Sequence, residues 1–212
     1  SKADSSNLRL PRILNASTES FSIAAWIKYD ADTFSSGNIH LFQQAGQGRT
    51  ILYLKPDLHY GTYLTAADYL CTDTTELNTW NHVIVTWDAS AHVVQFYLNG
   101  KRVNTEKVSG SAFDGTADVL IGSHKNAAAD GAIKGNLDEL RFYKTVITED
   151  MADAMYREFE AAKKLPELAS LIAEAKTLNG STDPDAIAEL ASKTADAEAL
   201  LKNSSPSADD IS

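Results

Sequence analysis

One cysteine in 212 residues excludes an internal disulfide. That leaves secretion open, because many bacterial extracellular proteins carry none. No histidine-containing motif frames Cys71, so it reads as a small buried hydrophobe rather than a nucleophile. Basic residues are scarce: 19 Lys and Arg stand against 29 Asp and Glu, a net charge of −10. Nucleic-acid binding through a basic surface is therefore excluded. No run of 18 apolar residues exists, so no membrane insertion is expected. The polar start Ser1-Lys-Ala-Asp-Ser-Ser6 has no signal-peptide pattern and fits a piece of a longer protein.

Catalytic signatures are also missing. The chain has no G-x-S-x-G, no H-E-x-x-H, no P-loop and no cysteine cluster. Its five histidines, at 40, 59, 82, 92 and 124, lack metal-ligand spacing, and His82 and His92 fall inside strand patterns. A sandwich-type glycosidase needs two carboxylates facing one sugar. Asp138 and Glu139 are adjacent, so regular alternation puts them on opposite faces of a strand. This fragment is expected not to be an enzyme.

What the chain does have is β-patterning. Trp80 to Gly100 reads as two consecutive strands. Asn81, Val83, Val85 and Trp87 point one way, and Trp80, His82, Ile84 and Thr86 the other. Next, His92, Val94, Phe96 and Leu98 oppose Val93, Gln95 and Tyr97. Asn99-Gly100 supplies a type I′ turn, so Lys101 to Val108 returns antiparallel. Apolar side chains on both faces mark inner strands of a two-sheet sandwich. Further strands read at Leu8–Leu10, Phe21–Tyr29, Ile39–Gln44, Thr50–Leu54, Tyr60–Leu64, Asp118–Gly122 and Leu137–Tyr143, with Asp68–Leu77 mixed. About ten to twelve short strands predict a mainly β, antiparallel jelly-roll sandwich.

After Thr145 the composition turns helical. Thr148 starts a helix with the stripe Met151, Met155, Tyr156 and Phe159. Pro166 interrupts it or starts the next, whose stripe is Leu168, Leu171, Ile172, Ala175 and Leu178. Asn179-Gly180 stops that helix. Thr182-Asp183-Pro184 caps another, expected to bury Ile187, Leu190, Ala191, Thr194, Ala197 and Leu201. Ser205 to Ile211 reads as a fresh helix start. The expected division is a sandwich over residues 1–160 and an antiparallel helical segment, cut short, over residues 161–212.

Candidate binding residues concentrate between Gln43 and Tyr69. Sugar recognition uses aromatic rings that stack on pyranose faces and planar polar groups that bond hydroxyls. Tyr53, Tyr60, Tyr63 and Tyr69 are the candidate stacking residues. Gln44, Arg49, His124 and Asn126 are the candidate hydrogen-bonding residues, with Gln43, His59 and Asp68 nearby. The even spacing of Arg49 and Tyr53 puts both on one sheet face. Asp138, at the start of a late strand, is a candidate Ca²⁺ ligand, with Asp30 and Asp32 as partners from another loop. A solvated or turn-capping aspartate remains the alternative.

Five segments occur in order: Phe21-Ser-Ile-Ala-Ala-Trp-Ile27, Trp80-Asn-His-Val-Ile-Val-Thr-Trp-Asp88, Phe96-Tyr-Leu-Asn-Gly100, Leu120-Ile-Gly122 and Gly135-Asn-Leu-Asp-Glu-Leu-Arg-Phe-Tyr143. Together they resemble the laminin G-like jelly roll of the concanavalin A-like lectin/glucanase superfamily, over about residues 7–157. The resemblance implies two curved sheets, often with one structural Ca²⁺. The first strand departs from the family by lacking the fuller form with an Asp-Gly turn. Leu168-Ala-Ser-Leu-Ile-Ala-Glu-Ala-Lys176 and Ala199-Leu-Leu201 resemble a FIVAR-type helical module. The pairing implies a carbohydrate-binding accessory module, secreted or cell-wall-attached. Its expected partners are a glycan and the catalytic domain of a bacterial glycoside hydrolase in the same polypeptide. A structural or adhesive spacer is the alternative, since one fold serves several functions.

Overall fold

The structure is a computed structural model that describes residues 8–34, 37–44, 49–65, 67–114, 117–122, 132–177 and 183–203. The chain divides into two units, Ser1–Ala154 and Met155–Ser212.

The first unit is an antiparallel jelly-roll sandwich. Its strands are β1 (Leu8–Leu10), β2 (Phe21–Tyr29), β3 (Ile39–Gln44), β4 (Arg49–Leu54), β5 (His59–Tyr63), β6 (Tyr69–Thr74), β7 (Asn81–Asp88), β8 (Val93–Leu98), β9 (Lys101–Lys107), β10 (Val119–Ile121) and β11 (Gly135–Tyr143). One sheet has the order β1-β10-β3-β4-β5-β6 and the other β11-β2-β7-β8-β9. β7 is thus the central strand of the five-stranded sheet. The turn after β8 has positive φ at both Asn99 (50°) and Gly100 (81°), as a type I′ turn requires. Asn99 Oδ1 also accepts the His82 backbone N–H at 2.9 Å, which fixes the hairpin against β7.

The core follows the alternation. Phe21, Ile23, Ala25, Ile27 and Tyr29 of β2 meet Val83, Val85 and Trp87 of β7 and Val94, Phe96 and Leu98 of β8 on one inner face. Phe42, Leu52, Leu54, Tyr60 and Cys71 come from the opposing sheet. Burial pushes the Cys71 thiol up to about 11, so it is a packed hydrophobe. Trp87 Nε1 donates to the Ala16 carbonyl at 2.7 Å, which satisfies its one polar atom in the core.

The outer face of the five-stranded sheet is buried too. Ser22, Ile84 and Tyr97 lie there, covered by the segment after β11. Ser22 Oγ donates to the Thr145 carbonyl (2.7 Å) and accepts the Ile147 N–H (2.9 Å). Tyr97 OH donates to the Ile147 carbonyl at 3.0 Å. These bonds seat the fully buried Ile147 on the sheet. The apolar residues on both faces of β7 thus serve two layers, the sandwich core and this covering segment.

Three readings are corrected. His92 has φ of 54° and closes the turn before β8, which begins only at Val93. Helix α1 runs unbroken from Glu149 to Thr177 through Pro166, rather than breaking there. Its proline is exposed, so only the local hydrogen bond of the solvent side is sacrificed. Regular alternation also fails at Asp138: the register slips between Asp138 and Arg141, with Glu139 at φ 48°, a β-bulge.

Within the second unit, α1 continues and α2 spans Pro184–Asn203. Asp183 Oδ1 accepts the Asp185 N–H at 3.0 Å, the expected cap. Thr148 Oγ1 likewise accepts the Met151 N–H at the start of α1, at 3.4 Å. Lys176 pairs with Glu198 across the two helices. The stripes are less buried than their period implies. Ile172 is buried, but Leu171 and Ile187 are 55% and 52% exposed, because two helices alone cannot enclose both sides of an apolar stripe. The expected helix start at Ser205 lies outside the described residues.

Candidate functional site

Tyr69 opens β6, at the edge of the six-stranded sheet, and this strand is stitched to β9 of the other sheet. Thr72 Oγ1 donates to the Val103 carbonyl, and Asn104 Nδ2 to the Leu70 carbonyl at 2.6 Å. Just past β9, Val108 and Phe113 turn into the core. The residues between them, Ser109-Gly110-Ser111, are left exposed. Their anchor on the other sheet is the Tyr69 hydroxyl, which accepts the Ser109 N–H at 3.0 Å. On the six-stranded side, Leu64 is fully buried and pins the β5–β6 connection.

Between these two segments lies a pocket of about 400 Å³, lined by Arg49, Thr65, Ala67, Ser109, Gly110 and Ser111. Arg49 crosses from β4, its guanidinium carbon 5.3 Å from the ring centroid of Tyr63. Its Nη1 donates to the Thr65 carbonyl. Stacking on Tyr63 and this bond hold the planar cation in place. Thr65 is 1% exposed, its hydroxyl turned to that of Tyr69. The pocket therefore offers a fixed cation, hydroxyl groups and loop backbone. Among the described residues, no carboxylate lines it.

The structure gathers Arg49, Tyr63 and Tyr69 of the expected residues at this edge. It removes others. Tyr60 is fully buried in the core, its ring centroid 6.3 Å from that of Tyr29, and burial pushes its hydroxyl pKa upward. It has no face free to stack on a sugar. Gln44 is 1% exposed, so its amide is not presented to solvent. Tyr53 is 2% exposed: its ring lies over Gly61, where a Cβ would come within 2.4 Å of Tyr53 Cζ. Its hydroxyl donates to Asp68 Oδ1 at 2.7 Å, so it braces the β5–β6 connection instead of stacking on a ligand. A bulge between Thr50 and Tyr53 breaks the even spacing that paired Tyr53 with Arg49. His124 and Asn126 lie outside the described residues.

The three expected calcium carboxylates are not brought together. Asp32 Oδ2 is 3.1 Å from Lys134 Nζ, and Asp138 Oδ1 accepts the Glu139 N–H at 2.8 Å. Among the described residues, no group of three or more His, Cys, Asp or Glu side chains could hold a metal ion. These residues do not fit a calcium site.

Thr65, Ala67 and Ser109 to Ser111 were not among the expected residues. The Ser-Gly-Ser run does carry a turn signal, but nothing local joins it to Arg49, sixty residues earlier.

Residues 2–151 match the concanavalin A-like lectin/glucanases superfamily, in its laminin G-like form. The chain belongs to this superfamily. No curated protein sequence matches it. Among solved structures, it is similar to a heptameric SAP-like pentraxin from Limulus polyphemus, at 18% identity and a TM-score of 0.54, covering 74% of this chain and 77% of that one. Domain 4 of AbnA, a GH43 extracellular arabinanase from Geobacillus stearothermophilus in complex with arabinotriose, is 19% identical with a TM-score of 0.54, covering 71% and 72%. A putative carbohydrate binding protein from Bacteroides ovatus is 20% identical with a TM-score of 0.53, covering 64% of this chain and 40% of that one. At such identities the likeness establishes a shared concanavalin A-like fold. No described helix is long and apolar enough to cross a membrane.

Proposed function

We propose that the concanavalin A-like sandwich is a non-catalytic carbohydrate-binding module, with its ligand at the Arg49 pocket. The observation that carries this reading is the pocket itself, with an arginine stacked on Tyr63 and the exposed Ser109 and Ser111 at its wall. Such groups bind sugar hydroxyls reversibly. Hydrolysis by two acids finds no support there, because no carboxylate among the described residues lines the pocket. Asp138 and Glu139 belong to β11, at the opposite edge of the five-stranded sheet from β9. The arabinotriose-bound arabinanase domain and the Bacteroides carbohydrate binding protein support the same class of function. In this reading the module serves a large secreted or cell-surface bacterial glycoside hydrolase. Its helices begin a FIVAR-type spacer, and it holds the catalytic domain of the same polypeptide near its substrate.

The burial of Tyr53 and Tyr60 favours a second reading, a spacer without glycan binding, because two of the four expected stacking rings are unavailable. Calorimetric titration and a glycan array with arabinan, galactan, fructan and sialylated glycans decide between them. Few-contact sites bind at about micromolar to millimolar Kd. Binding in that range that is lost in Tyr63→Ala supports the module. No binding to any glycan leaves the spacer.

A further inference from the structure

Among the described residues, Arg49 is the one cation that lines the pocket, in a chain of net charge −10. Of its five N–H donors it commits one to an acceptor among the described residues, the Thr65 carbonyl. Tyr63 takes the face of the guanidinium, not its edge. Arg9, Arg102 and Arg141 each pair with a carboxylate, whereas Arg49 has no ion pair among the described residues. A half-buried arginine held on both sides by its own protein, yet given no carboxylate partner, presents a prepared fork for a planar anion. Thr65 Oγ1 is buried behind it, within hydrogen-bonding reach of the Tyr69 hydroxyl.

We propose that the pocket recognises an anionic group on a sugar, the carboxylate of a uronic or sialic acid or a sulfate ester, through the free edge of Arg49. The exposed Ser109 and Ser111 hydroxyls reach the same group or an adjacent ring hydroxyl. This rests on the carbohydrate-binding reading above and narrows its ligand. A neutral sugar would leave the arginine edge to water and gain nothing from its charge.

The test is calorimetric titration of the full chain with matched pairs. Oligogalacturonate is compared with its carboxyl-reduced form, sialyllactose with lactose, and a sulfated galactan oligomer with the unsulfated one. The expected result is binding to an acidic member at least about tenfold tighter than to its neutral partner, the scale of one charge-assisted hydrogen-bond pair. The advantage shrinks at high salt. Arg49→Gln should abolish it, and Arg49→Lys should keep part of it. Whether uronate, sialate or sulfate gives the advantage identifies the source of the anion. Equal binding of acidic and neutral partners overturns the anionic inference and leaves the module reading standing. No binding to any member overturns both. Circular dichroism of each variant separates lost binding from lost fold, and Arg49→Lys carries the test if Arg49→Gln does not fold.

Discussion

His82 stacks on Trp26 with ring centroids 5.0 Å apart and planes 23° apart, on the outer face of the five-stranded sheet. Both residues are buried, although neither faces the sandwich interior. The pair works because a neutral imidazole is a flat, weakly polar ring. Protonation would put a charge into a dry layer.

That arrangement makes stability depend on pH. Burial, and then the nearby Arg141 cation, hold the His82 pKa down to about 4, below its ordinary 6.5. A depressed histidine pKa means that the unfolded chain binds the proton more tightly. The stabilisation is complete above pH ~6.5 and is lost as pH falls toward about 4, at a total of about 3 kcal/mol. Urea unfolding across this window should show that slope. His82→Phe keeps the stack on Trp26 and should flatten it. An unchanged slope would assign the acid sensitivity to carboxylates alone.

Gly61 is required by Tyr53. An alanine Cβ would sit 2.4 Å from Tyr53 Cζ and 2.8 Å from a Leu70 methyl carbon. Gly61→Ala should cost about 1–3 kcal/mol in denaturant unfolding. The double variant Gly61→Ala with Tyr53→Ala should lose less than the sum of the single changes, since the clash is with that ring.

Tyr53→Phe removes the donor to Asp68 without touching a pocket-lining side chain. We expect a stability loss of about 1 kcal/mol. We also expect weaker glycan binding, through a looser β5–β6 connection. Unchanged affinity would show that Asp68 does not position Thr65 and Ala67.

The segment after β11 is held by Ser22 and Tyr97 through Ile147. Ser22→Ala leaves the buried Ile147 N–H unpaired and should cost about 1–3 kcal/mol, whereas Tyr97→Phe should cost about 1 kcal/mol. The two bonds share one residue, so a double-mutant cycle should return a non-zero coupling. Hydrogen exchange at Ile147 should accelerate in both single variants.

The strands were legible in the chain because period-2 alternation and turn chemistry are local. Asn99-Gly100 needs no tertiary context to adopt positive φ, and Val83, Val85 and Trp87 fall on the core face by alternation. The helix caps at Thr148 and Asp183 were legible for the same reason. Bulges were not. Those in β4 and β11 shift the register by a residue and re-aim every side chain beyond them, and no composition signal marks either.

The sequence by itself determined the sandwich, its central hairpin, the inert Cys71 and the absence of familiar catalytic motifs. It also located the polar, tyrosine-rich stretch from which Arg49 and Tyr63 come. Only the tertiary structure decided which tyrosines are available. Tyr60 sinks into the core and Tyr53 lies across Gly61, while Tyr63 supports the Arg49 cation. Spacing along a strand sets which way a side chain points. What meets it there depends on bulges, on the opposing sheet and on segments distant in the chain, such as Ser109 to Ser111.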